Sequence, residues 1–171
     1  LCDAFHIPKL SLIDCPGNMV GPEAEKEALI RHCGRMYVAG ANLTVPYFVV
    51  VVRKAYGLGA IAMAAGSFDE TMFAVSWPTG EFAGMGLEGQ IKLGRRNELA
   101  AIENIQERKA RYEKLVANAY AWSRALNAGT VFEVDDVIDP AETRNWIAMG
   151  LNAAPPVLPR DGKKHGWVDT W

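Results

Sequence analysis

Residues 45–65 read VPYFVVVVRKAYGLGAIAMAA, an apolar run that passes through two glycines into a series of small residues. Residues 45–52 are apolar at consecutive positions, as expected for a strand that is buried on both faces of a parallel sheet. The glycines predict a turn, and the small residues after them predict a helix from about Gly59 to Ala65. The stretch therefore predicts a strand, a turn and a helix within a parallel α/β sheet.

Two further strands are predicted around this unit, over residues 9–14 (KLSLID) and 72–77 (MFAVSW). A helix is predicted over residues 22–39, because Pro22 suits a first helical position and acids follow it in the first turn. Its apolar side chains recur on one face: Leu29, Ile30, Cys33, Met36 and Tyr37. Alternating strands and helices of this kind predict a parallel sheet with right-handed crossover helices.

The second half of the chain is mainly helical by its periodicity. Residues 99–126 carry apolar side chains at helical spacing, which predicts one long amphipathic helix or a broken pair that ends at Gly129. Residues 131–137 are expected to be a short extended piece. Residues 139–142 (DPAE) have the layout of an N-cap, a proline at N1 and a capping-box acid at N3, so a last helix is expected to begin there. Residues 155–171 show no periodicity and predict a surface arm.

Composition excludes several classes of protein. The chain has 171 residues, half of them hydrophobic and 22% charged, which is typical of one globular domain. The net charge of −2 gives no support for binding to nucleic acid. The longest apolar run is far shorter than a membrane span. Three cysteines without metal-ligand spacing indicate a reducing compartment, the cytoplasm or the mitochondrial matrix of a eukaryote, and no signal peptide is expected.

Residues 53–60 (RKAYGLGA) are the most promising local feature for chemistry. The first N–H groups of a helix have no acceptor inside it, so they can bind an anion or stabilise a developing oxyanion. Glycines would allow a ligand to approach closely. An alternative stays open at this point, because small residues here could serve only to let the helix pack tightly on the sheet.

Two segments also match the glycine pattern of a dinucleotide site, residues 57–62 (GLGAIA) and 84–89 (GMGLEG). At the first, residues 53–56 are expected to separate the strand from the glycines, and no acid ends a strand about 20 residues further on. At the second, the preceding apolar segment is too short for a core strand. Both matches are therefore weak.

No conventional catalytic set emerges. His6, His32 and His165 lie far apart in the sequence, so a metal site is not expected. The serines lack the G-x-S-x-G pattern of a nucleophile elbow. An enzyme with this sequence would rely on backbone donors and on the reactivity of its substrates or cofactors.

Several motifs, in order along the chain to about residue 151, resemble the carboxyltransferase (β) subunits of biotin-dependent acyl-CoA carboxylases. The propionyl-CoA and methylmalonyl-CoA branch is the most similar. The motifs are residues 14–17 (DCPG), 21–25 (GPEAE), 30–32 (IRH), 45–46 (VP), 53–57 (RKAYG), 77–79 (WPT) with Glu81, 85–86 (MG) with 88–89 (EG), and 137–144 (VIDPAETR).

The resemblance implies a crotonase-like (ClpP/crotonase) α/β fold, with a parallel sheet, crossover helices and a C-terminal helical extension. It implies that residues 1–154 are the C-terminal carboxyltransferase domain without its first strands, and that residues 155–171 are an arm. It also implies that the Leu58 and Gly59 amides form an oxyanion hole for the ureido oxygen of biotin. The rest of the biotin-binding turn would be Tyr56, Gly57 and Ala60.

The activity implied is transfer of a carboxyl group from carboxybiotin, on a carrier protein, to the α-carbon of an acyl-CoA thioester. The implied partners are an N-terminal carboxyltransferase domain, a biotin carboxyl carrier protein and biotin carboxylase. No metal, nucleic acid or membrane is implied. A homo-oligomer is expected, because the long helices and Trp122, Trp146, Trp167 and Trp171 suggest surface for another chain. Two alternatives stay open, a biotin-independent crotonase-fold acyl-CoA decarboxylase or hydratase, and a non-catalytic assembly subunit.

Overall fold

The computed structural model describes residues 1–156. Trp167, Trp171, His165 and most of the expected arm lie outside the described residues. The five strands in residues 1–156 are β1 (Lys9–Cys15), β2 (Tyr47–Tyr56), β3 (Phe73–Ser76), β4 (Glu81–Ala83) and β5 (Asp136–Val137). The eight α-helices among the described residues are α1 (Pro22–Lys26), α2 (Leu29–Ala41), α3 (Gly57–Met63), α4 (Leu87–Gly94), α5 (Arg96–Ala100), α6 (Ile105–Trp122), α7 (Ala125–Thr130) and α8 (Thr143–Ala153).

The sheet is parallel throughout, which confirms the predicted fold class. Its order is β1-β2-β3-β5, and β4 pairs with the end of β2. The buried side chains of β2 point alternately to two cores. On one face Val49 and Val51 pack with residues of α3, and on the other Phe48 and Val50 pack with Trp146 and Ile147 of α8. The all-apolar run therefore forms the central strand because both its faces are covered.

The central strand is longer than predicted. β2 extends to Tyr56, and α3 begins at Gly57 rather than at Gly59. Polar residues at 53 and 54 gave no sign of a strand, but this end of β2 pairs with β4 through Lys54, Ala55 and Tyr56. The expectation that residues 53–56 separate the strand from the glycines was therefore wrong.

The predicted helix over residues 22–39 is two helices. Ala28 adopts a left-handed conformation, φ 54°, between α1 and α2. No glycine or proline marks that position, so the periodicity alone could not reveal the break. The face predicted for this segment is only partly covered, because Ile30 and Met36 are exposed.

The C-terminal half contains the predicted broken helix, but its helices begin and end at other residues than predicted. α5, α6 and α7 occupy residues 96–130, and only Asp136–Val137 of the expected extended piece is a strand. The Asp139 side chain caps a 3-10 turn (Pro140–Glu142) by accepting from the Ala141 N–H, and α8 follows directly. The Glu142 side chain accepts a hydrogen bond from Asn145 Nδ2. Within the described residues, no helix is long and apolar enough to cross a membrane.

Candidate functional site

The turn between β2 and α3 depends on Gly57. This residue has φ +57°, a conformation that favours glycine, and a Cβ there would lie 2.7 Å from the carbonyl oxygen of Gly84. β2 therefore passes into α3 without an intervening loop. The carboxyl end of a buried parallel strand and the amino end of a helix meet at one point, which is the geometry that the glycine motif predicted.

The end of β2 is irregular, and two of the sequence motifs satisfy its backbone. Ile13 pairs with Val51, but Cys15 pairs with Ala55, so the β1–β2 register shifts between them. Asp14 Oδ1 accepts a hydrogen bond from the Lys54 N–H at 3.2 Å. On the other side, Thr79 Oγ1 donates to the Val52 carbonyl oxygen at 2.6 Å. Residues 14–17 and 77–79 thus hold the strand that leads into the turn.

Asp14 also forms an exposed ion pair with Arg53, with a distance of 2.9 Å between Oδ2 and Nη2. The hydrogen bond from the Arg53 side chain is the main cause that lowers the pKa of Asp14 below its usual value, and the Lys54 N–H adds to it. The carboxylate is therefore ionised at neutral pH, in the form that accepts both hydrogen bonds.

A second link connects the motif at residues 77–79 with the motif at residues 137–144. Trp77 Nε1 donates to Thr143 Oγ1 at 2.9 Å, which joins the segment after β3 to the first turn of α8. The Trp146 ring packs against Phe73, with ring centres 5.6 Å apart. Trp146 is therefore partly buried against the core of this chain, whereas Trp122 is 77% exposed.

The first turn of α3 presents backbone donors. The N–H groups at the start of a helix lack intrahelical acceptors. The side chain of Tyr56, which is the N-cap residue, accepts no hydrogen bond from them. The Leu58 side chain is 62% exposed, whereas Gly59 and Ala60 are buried. Leu58 therefore lies at the surface of the turn, and Gly59 or Ala60 could contact a ligand only through the backbone.

A loop after β1 covers Gly59. A Cβ at this position would lie 2.9 Å from Cys15 Sγ and 3.1 Å from Asn18 Oδ1. Asn18 Nδ2 in turn donates to Cys33 Sγ on α2 at 3.5 Å. The close approach of this loop accounts for glycine at 59, and sequence reasoning gave Asn18 no role.

Two tyrosine–glutamate pairs lie beside the turn. The Tyr56 hydroxyl donates to Glu81 Oε2 at 2.6 Å, and burial followed by this hydrogen bond raises the pKa of Tyr56. The Tyr120 hydroxyl donates to Glu88 Oε1 at 2.6 Å, and this hydrogen bond raises the pKa of Tyr120 to about 12. Both phenols therefore keep their protons at neutral pH, and neither is a base there. The sequence pattern predicted Tyr56 at the turn but gave no sign that Glu81 is its partner.

An apolar cavity of about 440 Å³ adjoins the turn. Gly57 and Ala55 form part of its wall on the sheet side, and Trp122 and Val131 form part of it on the helical side. Within residues 1–156, no group of three or more His, Cys, Asp or Glu side chains is arranged to hold a metal ion. The turn thus combines backbone donors with an adjacent apolar cavity.

A family comparison identifies the chain. The model of the carboxyl transferase domain matches residues 1–157. The chain belongs to the carboxyl transferase domain family. The chain is 38% identical over 167 residues to the methylmalonyl-CoA carboxyltransferase 12S subunit of Propionibacterium freudenreichii subsp. shermanii. That match covers 96% of this chain and 31% of the relative, so the chain spans about a third of that protein's length.

Solved structures agree with this assignment to the carboxyl transferase domain family. A transcarboxylase 12S structure has a TM-score of 0.80 and 35% identity, over 96% of this chain and 31% of that one. A single-chain, multi-domain long-chain acyl-CoA carboxylase has a TM-score of 0.75 and 51% identity, over 86% of this chain and 14% of that one. The fold is crotonase-like, as the motifs implied.

The carboxyl transferase assignment also resolves the dinucleotide question. The glycines of residues 57–62 do follow their strand directly, but β3 ends at Ser76 and is followed by Trp77 and Pro78, without the acidic residue of a dinucleotide site. His6 and His32 belong to no metal cluster among the described residues. Of the predicted site residues, the structure brings Tyr56, Gly57, Leu58, Gly59 and Ala60 together at one turn because they are consecutive.

Proposed function

We propose that this chain is the biotin-side part of an acyl-CoA carboxyltransferase. The observation that carries the proposal is the direct passage of β2 into the uncapped first turn of α3, in a chain of the carboxyl transferase family. The Leu58 and Gly59 N–H groups are the proposed oxyanion donors. Because the peptide dipoles of α3 align behind them, these donors favour an oxygen that gains negative charge.

The cofactor would be biotin, and its ureido oxygen is a hydrogen-bond acceptor that suits two backbone donors. When bound, carboxybiotin supplies the activated carboxyl group. Residues of this chain would contribute position and charge rather than a protein base. Gly57 sets the direction of the turn, and the loop at Cys15 and Asn18 covers Gly59 from the side. Leu58, with its exposed side chain, would lie at the edge of the opening through which biotin enters the site.

The proposed co-substrate is an acyl-CoA thioester. Solved structures similar to this chain include a transcarboxylase 12S with methylmalonyl-coenzyme A bound and a long-chain acyl-CoA carboxylase. Because the chain covers about a third of its relatives, we propose that an N-terminal carboxyltransferase domain completes the acyl-CoA site. A biotin carboxyl carrier protein and biotin carboxylase are the further proposed partners, and the compartment is the cytoplasm or the mitochondrial matrix.

Self-association is part of the proposal. Several large apolar residues are exposed on the surface, among them Trp122, Leu126, Val131 and Phe132. Such groups favour burial against another chain. The transcarboxylase 12S relative is described as a hexamer. A monomer by light scattering at micromolar concentration would contradict this part of the proposal.

The test is carboxyl transfer from carboxybiotin on its carrier protein to propionyl-CoA and longer acyl-CoA thioesters. This chain is assayed together with an N-terminal carboxyltransferase domain, and each component is also assayed alone. Formation of the carboxylated acyl-CoA only when both are present supports the proposal. Turnover of acyl-CoA without biotin would instead indicate a decarboxylase or hydratase, and no turnover by a folded complex would indicate an assembly subunit.

A further inference from the structure

The Tyr37 side chain contacts the proposed oxyanion hole from behind. Its hydroxyl, on α2, donates a hydrogen bond to the Leu58 carbonyl oxygen at 2.6 Å. This carbonyl and the Gly59 N–H belong to one peptide group. In a trans peptide the C=O and N–H bonds point in opposite directions, so Tyr37 holds this group from the side opposite to the N–H.

The same face of α2 holds the loop that covers Gly59. Cys33 and Tyr37 are four residues apart and share this face. Cys33 Sγ accepts a hydrogen bond from Asn18 Nδ2, and Asn18 Oδ1 lies against the Cα side of Gly59. α2 therefore contacts the Leu58–Gly59 peptide directly through Tyr37 and indirectly through Asn18.

We infer that Tyr37 is a positioning residue that orients and strengthens the Gly59 N–H as a hydrogen-bond donor. The inference rests on the proposed function of the Leu58 and Gly59 amides. A hydrogen bond to a peptide carbonyl fixes the plane of the peptide, and it polarises the group so that its N–H becomes a better donor. Tyr37 would act through this peptide without touching the substrate.

The protonation state of Tyr37 agrees with this role. Burial, with a smaller effect of Cys33, raises the pKa of Tyr37 above its usual value. The hydroxyl therefore keeps the proton that it donates to Leu58 over the whole neutral range. A general acid or base would instead need a pKa near the working pH.

The test uses Tyr37→Phe, which removes the hydroxyl and keeps the ring. Tyr112→Phe is the matched control, because the Tyr112 hydroxyl on α6 makes only a 3.4 Å contact with the Glu88 carbonyl oxygen. The first readout is the ¹⁵N–¹H resonance of Gly59 in the labelled full chain, which needs neither biotin nor substrate. The second readout is kcat and KM for carboxyl transfer in the complex with the N-terminal carboxyltransferase domain.

We expect Tyr37→Phe to shift the Gly59 resonance and to lower kcat about 3- to 10-fold, the size of one neutral hydrogen bond, with KM unchanged. Tyr112→Phe should change neither. An unshifted Gly59 resonance overturns the inference. An unchanged kcat in Tyr37→Phe also overturns the inference if Gly59→Pro is inactive relative to Gly59→Ala. In that case the proposed function stands. If Gly59→Pro and Gly59→Ala transfer at equal rates, the proposed oxyanion hole and this inference both fail.

Discussion

The Asp14 carboxylate accepts the backbone N–H of Lys54 at the point where the β1–β2 ladder loses its regular register. The same carboxylate binds the Arg53 side chain. One acidic side chain therefore satisfies a backbone donor that the ladder leaves open and also neutralises the neighbouring cation. The ion pair requires the ionised form, and the carboxylate is also a stronger acceptor for the Lys54 N–H than the neutral acid, so this relationship makes the end of β2 sensitive to acid.

Replacing Asp14 by Asn should lower the free energy of unfolding at pH 7, because the ion pair is lost. The pKa of Asp14 in the folded protein is lowered from its usual 3.8. A lowered pKa contributes stability above the unfolded pKa, and that contribution is lost as the pH falls through the folded pKa. The stability difference between the parent and Asp14→Asn should therefore shrink below about pH 4.

The measurement is urea unfolding of both proteins from pH 3 to pH 7. Asp69→Asn, at an exposed position before β3, is the control for the loss of one negative charge. Because Asp14 is 41% exposed on its side chain, the effect should also decrease with added salt. A stability difference that does not change between pH 3 and pH 7 would contradict the assigned role of the carboxylate.

Gly150 lets α8 pack closely on the sheet. A Cβ at this position would lie 2.7 Å from Phe48 Cε1 and 2.9 Å from Phe73 Cε1, and both rings are buried. A Cβ added at Gly34 on α2 would instead point into open space. Alanine at Gly34 should stabilise the protein by about 0.5–1 kcal/mol, because glycine is unfavourable within a helix.

The same gain in helix propensity applies to Gly150→Ala, so the comparison of the two variants isolates the steric cost. We expect Gly150→Ala to be about 1–3 kcal/mol less stable than Gly34→Ala, the usual cost of overpacking a core. Thermal and denaturant unfolding measure this difference. Equal stability of the two variants would mean that Phe48 and Phe73 move aside without cost.

Much of the sheet could be predicted, because consecutive apolar residues in β2 reflect burial on both faces. The extension of β2 through Arg53 and Lys54 could not, because its support comes from residues distant in sequence, Asp14, Thr79 and Glu81. The break at Ala28 was missed for a different reason, since alanine is the best helix former and carries no turn signal.

The candidate site was predicted in part. A glycine turn after a buried strand is a local pattern, so residues 56–60 could be selected from sequence. The contacts that hold this turn come from α2 and from the loop after β1, and sequence spacing gives no measure of such contacts. The sequence therefore placed Tyr37 only on a helix face and gave no sign of the contact that Asn18 makes.

The exposed side chain of Leu58 predicts a tolerant position. This chain has Gly-Leu-Gly-Ala at residues 57–60. Leu58→Gly keeps the backbone donor and removes a side chain that is 62% exposed, so carboxyl transfer should be retained, with KM for carboxybiotin equal to or below that of the parent. Leu58→Ala is the control for loss of helix propensity, which costs about 1 kcal/mol for glycine. A rate loss of tenfold or more in folded Leu58→Gly protein would show that the side chain itself is required.

The most direct test of the central claim is the rate of carboxyl transfer by Gly59→Pro relative to Gly59→Ala. Both variants place a Cβ close to Cys15 Sγ, but only proline removes the N–H. Thermal melts establish that each variant is folded, and the assay contains the N-terminal carboxyltransferase domain, carboxybiotin on its carrier and an acyl-CoA. Loss of one oxyanion donor predicts a rate about 100- to 1,000-fold lower for Gly59→Pro than for Gly59→Ala. Equal rates in the two folded proteins would contradict the assignment of the Leu58 and Gly59 amides as the oxyanion hole.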